Sequence, residues 1–313
     1  MGGKSKIDNI KQPIKLSANE NPYGPSPKAV SAFTSVKNSL ALYPDSGHLI
    51  LRRAIAEIYG LDENRVICGA GSDEIIHFLC QCYAGIGDEV IHTEYGFAMY
   101  KISALTMGAT PVAVKEVQRR ADISNIINAS NEKTKLIFLA NPNNPTGTML
   151  SAEEIELLAD SIPKHTLLVL DGAYAEYIEN FDAGVKLLET KRNIFITRTF
   201  SKIYGLGALR VGWGYGSEPI IDALRRVKGP FNISSAAQEA AKAAILDIDY
   251  VKRCRDYNYM LREKLALNLQ RINIPSDQSF GNFILARFSD KDTALSADRF
   301  LLENLAKIKL PKD

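Results

Sequence analysis

Short apolar runs recur along the first two thirds of the chain, and most are separated by segments with helical spacing of apolar residues. The seven runs are RVIC (65–68), DEVIHT (88–93), TPVAV (110–114), KLIFLA (135–140), TLLVLD (166–171), NIFITRTF (193–200) and VGWGYG (211–216). Of the helical segments, SAEEIELLADSI begins with a capping box formed by Ser151 and Glu154. Strands that alternate with helices predict an α/β fold with a mainly parallel seven-stranded sheet covered by helices.

The pattern changes near residue 234, where long helical segments replace the alternation. A predicted strand, FILARF (283–288), and a further helix follow, which indicates a smaller α+β domain. We therefore divide the chain into an N-terminal segment or small-domain arm (1–40), a large domain (41–250) and a small C-terminal domain (251–313).

Composition narrows the function classes. The 313 residues are 46% hydrophobic and 24% charged, as in soluble globular proteins. A net charge of +2 without a long basic run argues against nucleic acid or a membrane surface as a partner. The apolar runs are too short to cross a bilayer, and the polar start MGGKSKID does not resemble a signal peptide. We expect a cytoplasmic protein.

The four cysteines are Cys68, Cys80, Cys82 and Cys254. Their spacing fits neither a zinc motif nor a redox motif, so we expect reduced core residues and no metal site.

Ligands of such sheets bind beyond the carboxyl ends of the strands, so polar residues there are candidates for chemistry. After RVIC, the turn GAGSDE leads into a helix that starts at Ser72. Its backbone N–H groups and helix dipole could cradle a phosphate, although a tight structural turn fits a single GxG equally well. After KLIFLA, the loop NPNNPTG (141–147) holds the Asn144 side chain in one place through its rigid Asn-Pro steps.

The next two strands end in an acid and an amine. Asp171 and Tyr174 follow TLLVL, and a buried carboxylate there needs a partner unless it caps a helix. Lys202 and Arg210 follow NIFIT in the segment TFSKIYGLGALRVGWGYG. Pyridoxal phosphate uses all these groups together: an amine for its aldehyde, an anion beside its pyridinium nitrogen, and donors for its ring oxygen and phosphate. We therefore interpret Lys202 as the lysine that binds the cofactor.

Six motifs carry a resemblance to a known family. NENPYGPSP, YPD, GAGSDE, NPNNPTG, DGAYAEY and TFSKIYGLGALRVGW together resemble histidinol-phosphate aminotransferases, pyridoxal-phosphate enzymes of fold type I. The resemblance runs from about residue 4 to about residue 304, with the motifs in the family's order. It implies transamination between histidinol phosphate and 2-oxoglutarate in histidine biosynthesis, giving imidazole-acetol phosphate and glutamate.

Two alternatives stay open at this point. An aromatic amino-acid aminotransferase or a threonine-phosphate decarboxylase of the same fold would share every cofactor motif. The chain could also be a truncated, weakly active dimer that still binds pyridoxal phosphate.

The resemblance also implies roles for matching residues. Lys202 would hold the cofactor covalently, Asp171 would pair with its pyridine nitrogen, and Tyr174 and Asn144 would contact its ring oxygen. The residues that would bind its phosphate are Ser72, Asp73, Thr199, Ser201 and Arg210.

Three tyrosines complete the implied site. Tyr95 would stack on the cofactor ring, and Tyr23 would lie near the substrate. Tyr43 would reach the cofactor phosphate of a neighbouring subunit, which implies a homodimer with shared sites and places cofactor binding in the 41–250 domain.

One departure concerns the substrate. The family continues past a helix like LLEN into a glycine-containing strand and a segment with a substrate-binding arginine, whereas here LLEN is followed by LAKIKLPKD. We do not assign that role to Arg287, which lies within FILARF. The expectation is an apparently truncated small domain in which the arginines for the substrate's phosphate have no counterpart.

Overall fold

The computed structural model describes residue 16 and residues 18–305. All seven predicted strands of the sheet form, and their bounds are β1 (Val66–Gly69), β2 (Glu89–Thr93), β3 (Thr110–Val114), β4 (Thr134–Ala140), β5 (Leu167–Asp171), β6 (Ile194–Thr199) and β7 (Gly212–Tyr215). Their order across the sheet is β1-β7-β6-β5-β4-β2-β3. The pairs from β3 to β6 are parallel, and β7 is antiparallel to both of its neighbours. The predicted mainly parallel sheet is confirmed.

Helices cover both faces of this sheet. The α-helices of the described residues are α1 (Pro27–Ser35), α2 (Leu49–Tyr59), α3 (Ser72–Tyr83), α4 (Ala98–Thr106), α5 (Ile123–Ala129), α6 (Ala152–Ser161), α7 (Glu218–Val227), α8 (Ser235–Ile245), α9 (Ile248–Arg271) and α10 (Lys291–Leu305). The capping box at Ser151 is present, with both of its hydrogen bonds. Successive residues of β4 pack into two separate cores, Ile137 into one and Phe138 into the other. Both faces are buried, which explains why the strands are continuous apolar runs.

One predicted element is wrong. Residues 283–288 form no strand, and the pairing recorded for them is a single bridge between Ser276 and Ala286. A β-strand needs a neighbour that pairs with it over several residues, whereas among the described residues the pairing of FILARF is limited to this bridge, with one hydrogen bond from the Arg287 N–H to the Pro275 carbonyl. The helix predicted after it is present as α10.

The expectations about cysteines and membranes can be compared with the described residues. All four cysteines are free thiols, three of them buried and Cys82 half-buried. Within residues 18–305 there is no group of His, Cys, Asp and Glu side chains that could hold a metal ion. No helix among these residues has the length and apolar character needed to cross a membrane. Residues 1–15, 17 and 306–313, which the predicted domain division includes, lie outside the described residues.

Candidate active site

The carboxyl ends of β4, β5 and β6 and the first turn of α3 enclose a cavity of about 200 Å³. The structure brings most of the sequence-predicted site residues to this cavity. Those that line it are Ser72, Asp73, Asn144, Asp171, Tyr174, Thr199, Ser201, Lys202 and Arg210. The strands are parallel here, so their carboxyl ends meet at one edge of the sheet and deliver these side chains to one place.

Asp171 is the last residue of β5, and only 4% of it is exposed. One carboxylate oxygen accepts a hydrogen bond of 2.8 Å from the Tyr100 hydroxyl, and the other accepts one of 3.1 Å from the Ala173 N–H. Burial raises the pKa of Asp171, while these donors and the nearby Lys202 act in the opposite direction. A buried carboxylate held in this way is a strong partner for a cationic N–H group in the cavity.

Lys202 lies in the loop after β6, with its ammonium group inside the protein. Its Nζ donates a 3.2 Å hydrogen bond to the Ala18 carbonyl and lies 5.6 Å from the centre of the Tyr174 ring. Burial lowers the pKa of Lys202, and Arg210 adds to this effect, whereas Asp171 and Glu20 oppose it. A lowered pKa increases the fraction of neutral amine, which is the form that attacks an aldehyde.

The Tyr174 hydroxyl lies between two amides. It accepts hydrogen bonds from Asn144 Nδ2 at 3.2 Å and from Asn19 Nδ2 at 3.1 Å. The loop that carries Asn144 is anchored by the Asn141 side chain, which exchanges two hydrogen bonds with the Leu150 backbone. Burial raises the pKa of Tyr174 to about 12, so the phenol stays protonated and can donate to an oxygen in the cavity.

The start of α3 forms an anion cradle. No side chain caps this helix, and its N-cap is Gly71 with a φ of +93°. The loop between β6 and β7 brings Arg210 to the start of α3. There its guanidinium donates hydrogen bonds to Asp73 Oδ1 at 2.6 Å and to Ser201 Oγ at 3.1 Å. Free backbone N–H groups, a helix dipole and a planar guanidinium together suit a phosphate.

Glycines leave the space for this cradle. A Cβ on Gly71 would lie 2.1 Å from Asp73 Oδ1 and 2.2 Å from Arg210 Nη2. A Cβ on Gly212 would lie 2.4 Å from the Ser72 backbone nitrogen, so β7 can approach the helix only without a side chain.

The three remaining predicted tyrosines lie elsewhere among the described residues. Tyr43 is 81% exposed and stacks on Phe231 with ring centres 4.5 Å apart. Tyr23 is half-exposed, contacts the Tyr257 ring and lines a separate cavity of about 170 Å³. Tyr95 is also half-exposed and is not among the residues that line the first cavity.

Sequence reasoning missed three residues of the site. Tyr100 donates to Asp171, Phe97 lines the cavity, and Asn19 donates to Tyr174. Phe97 and Tyr100 follow β2, and the sequence shows them only as aromatic residues at the start of a helix. Asn19 is the first residue of the motif NENPYGPSP, in which only Tyr23 is predicted from the sequence to lie at the site.

Comparisons with known proteins identify the family of this chain. The family model described as aminotransferase class I and II matches residues 11–309. A histidinol-phosphate aminotransferase of Ruegeria sp. (strain TM1040) is 57% identical over 300 residues, which are 96% of this chain and 83% of that protein. A histidinol-phosphate aminotransferase of Cereibacter sphaeroides is 54% identical over 316 residues, covering 99% of this chain and 88% of its own length.

Solved structures show the same fold. The crystal structure of histidinol-phosphate aminotransferase from Sinorhizobium meliloti in complex with pyridoxal-5'-phosphate superimposes with a TM-score of 0.88 at 26% identity. The match covers 95% of this chain and 82% of that one. The chain has the fold of type I pyridoxal-phosphate enzymes, and it belongs to the class I and II aminotransferases and, within them, to the histidinol-phosphate aminotransferase family.

Proposed function

We propose that this chain transfers the amino group of histidinol phosphate to 2-oxoglutarate, in histidine biosynthesis, with pyridoxal phosphate as its cofactor. The observation that carries the proposal is one cavity lined by Lys202, Asp171 and Arg210, in a chain of this family. The relatives at 54–57% identity are histidinol-phosphate aminotransferases, which does not favour the aromatic aminotransferase or threonine-phosphate decarboxylase alternatives.

The residues present fit pyridoxal phosphate. Lys202 offers a half-buried amine for the aldehyde, and Asp171 offers a buried carboxylate for the pyridine N–H. Tyr174 and Asn144, which are hydrogen-bonded to each other, would contact the ring oxygen. The residues proposed for the phosphate are Ser72, Asp73, Thr199, Ser201 and Arg210. The Asp73 carboxylate would contribute through Arg210, from which it accepts a hydrogen bond.

The same residues account for the chemistry. When bound, pyridoxal phosphate accepts electron density from the substrate Cα, which makes the Cα proton acidic. The Lys202 amine would be free once substrate has replaced it, and its Nζ would accept and donate the proton that moves during transamination. Asp171 keeps the pyridine nitrogen protonated throughout, since its carboxylate is fixed by Tyr100 and Ala173. Arg210 and the start of α3 would hold the phosphate and so fix the position of the cofactor relative to Lys202.

The proposal extends to assembly and location. The four free cysteines support a cytoplasmic location. A homodimer is supported by the exposed Tyr43 and Phe231 rings, which a second subunit could cover. In such a dimer Tyr43 would reach the partner's cofactor phosphate, Tyr95 would stack on the cofactor ring and Tyr23 would lie near the substrate. We retain the division into an arm (1–40), a cofactor-binding domain (41–250) and a small domain (251–313).

A single-turnover screen tests the substrate. The holoenzyme is mixed with histidinol phosphate, phenylalanine or threonine phosphate, and the cofactor absorbance is followed without a second substrate. Conversion to the aminated cofactor with histidinol phosphate, at a rate well above that with phenylalanine, is the expected result. Faster conversion with phenylalanine, or carbon dioxide release from threonine phosphate, would overturn the substrate assignment.

The shared site gives a prediction for Tyr43. Tyr43→Phe removes one hydroxyl donor to an anionic phosphate, so cofactor binding should weaken by about 1.5–3 kcal/mol at most. Mixing Tyr43→Phe with Lys202→Ala subunits should produce hybrid dimers with one fully intact site each. Turnover and cofactor affinity of the mixture check this, and a mixture with no more intact sites than either parent rules out sharing.

The cradle gives a second prediction. Gly71→Ala places a methyl group against Arg210 and Asp73 at a φ that L-residues rarely adopt. Displacing one charge-assisted contact to the phosphate should weaken cofactor binding about 10- to 100-fold. Equilibrium dialysis measures the affinity, with Gly229→Ala as the control, because a Cβ there meets no atom within 4 Å. Equal affinities of the two variants would contradict the cradle.

A further inference from the structure

An ion pair with both partners buried lies beside Gly172, the residue that follows Asp171. Arg198 in β6 and Glu176 in the 3₁₀ turn after β5 have side chains that are 1% and 6% exposed, and Arg198 Nη1 lies 3.0 Å from Glu176 Oε1. Arg198 Nη2 also donates to the Asp182 carbonyl at 3.0 Å. Each of the other ion pairs recorded within the described part of the chain has at least one partner that is much more exposed.

Two tyrosines join the pair to the loop that carries Lys202. The Tyr59 hydroxyl lies 3.1 Å from Glu176 Oε1 and 3.1 Å from the Tyr204 hydroxyl. Tyr204 follows Lys202 by two residues, and Glu176 follows Tyr174 by two residues. The Arg198 guanidinium lies over the Tyr59 ring, 5.4 Å from its centre. The network therefore joins the segment after β5 to the segment after β6.

Arg198 also packs against the residue that follows Asp171. A Cβ added to Gly172 would lie 2.9 Å from both Cδ and Nε of Arg198. The φ of Gly172 is not in the left-handed region, so close packing, rather than backbone conformation, is what excludes a side chain here. The backbone next to Asp171 is thus in contact with a side chain of β6, the strand that precedes the Lys202 loop.

Stability alone is a weak reason for such a pair. Desolvating two charges is costly, and replacing a buried ion pair with neutral groups of similar volume is often neutral or stabilising. The hydrogen bonds of an ion pair are directional, so the pair fixes the relative position of the two segments that it joins. We propose that Arg198 and Glu176 are positioning residues that set the separation between Asp171 and Lys202. This inference rests on the proposed function, in which those two side chains act on one cofactor.

The test is a charge-neutral double variant of the holoenzyme, Arg198→Met with Glu176→Gln, in which no unpaired charge is left and the Tyr59 hydroxyl keeps an acceptor. We expect it to bind the cofactor covalently, to change the visible circular dichroism of the bound cofactor, and to lower kcat about 10- to 100-fold. KM should change less than kcat. The matched control is Lys191→Met with Asp160→Asn, which removes an ion pair outside the cavity lining and should leave the spectrum unchanged.

A wild-type spectrum and a wild-type kcat in the double variant would overturn the positioning role. If the double variant does not fold, Gly172→Ala replaces it, because its methyl group displaces Arg198 while both charges remain; an unchanged spectrum there would likewise overturn the role. Failure of the proposed function is recognised separately in the unmodified chain, as covalent cofactor binding without turnover of histidinol phosphate. The dichroism comparison still decides the positioning role in that case.

Discussion

Lys202→Ala should lose covalent cofactor attachment, and its kcat should fall by about 10⁴-fold or more. The substitution removes the amine that binds the aldehyde and, with it, the base that moves the Cα proton, a task that contributes about 10²–10⁴-fold by itself. Partial burial lowers the pKa of Lys202, which raises the fraction of neutral, nucleophilic amine. Borohydride reduction followed by peptide mass spectrometry should place the cofactor on Lys202 in the unmodified protein.

Lys228 is a useful control for this experiment. Burial also lowers the pKa of Lys228, but its ammonium donates to the Ser46 and Gly229 carbonyls and does not line the cavity. Lys228→Ala should therefore keep the label on Lys202. Cofactor found on Lys228, or on any lysine other than Lys202, would remove the basis of the whole site assignment.

Asp171→Asn should lower kcat/KM about 10²–10³-fold, the range seen when one preorganised electrostatic partner of the reacting group is removed. An amide cannot keep the pyridine nitrogen protonated, so electron withdrawal from Cα weakens. Tyr100→Phe is the graded comparison, because it removes one donor to Asp171 and leaves the carboxylate in place. Steady-state kinetics should rank the wild type first, then Tyr100→Phe, then Asp171→Asn. Equal rates for Asp171→Asn and the wild type would show that the carboxylate does not act on the cofactor.

The same substitution should not destabilise the protein without cofactor. The folded-state pKa of Asp171 is raised, so its contribution to stability is present at low pH and is lost as the pH rises through that pKa. At pH 7 the buried carboxylate therefore costs stability, and the asparagine variant without cofactor should unfold at an equal or higher temperature. Thermal unfolding at pH 7 checks this. A clearly lower unfolding temperature would mean that the carboxylate stabilises the empty fold.

The sheet and the strand-end residues could be predicted because their signals are local. A strand buried on both faces needs a continuous apolar run, and the residue that ends it is recognisable when it is an acid such as Asp171. The prediction of a strand at 283–288 was wrong because a strand also depends on a non-local feature, its pairing partner. An apolar run indicates burial, whereas a strand also needs a hydrogen-bonding neighbour, which spacing along the chain does not reveal.

The residues that were missed depend on the order of the strands. Tyr100 reaches Asp171 because α4 follows β2, which lies next to β4 and so close to β5. The order β5-β4-β2 cannot be inferred from the spacing of apolar runs. Phe97 was missed for the same reason, because the turn between β2 and α4 is what brings it to the cavity lining.

The turn between β6 and β7 has a consequence for how the length of this chain can vary. Lys202 and Arg210 lie on one loop that is closed by a hydrogen bond from the Phe200 N–H to the Val211 carbonyl, and a Cβ on Gly205 would lie 2.3 Å from the Gly24 backbone. Surface loops generally accept insertions and deletions. In the proposed function, the two ends of this loop would bind the aldehyde and the phosphate of the same cofactor, and the N-terminal segment packs on the middle of the loop. Insertions should therefore be tolerated around Gly87 or Gly229. They should not be tolerated between residues 202 and 210, where the length of the loop sets the distance between Lys202 and Arg210.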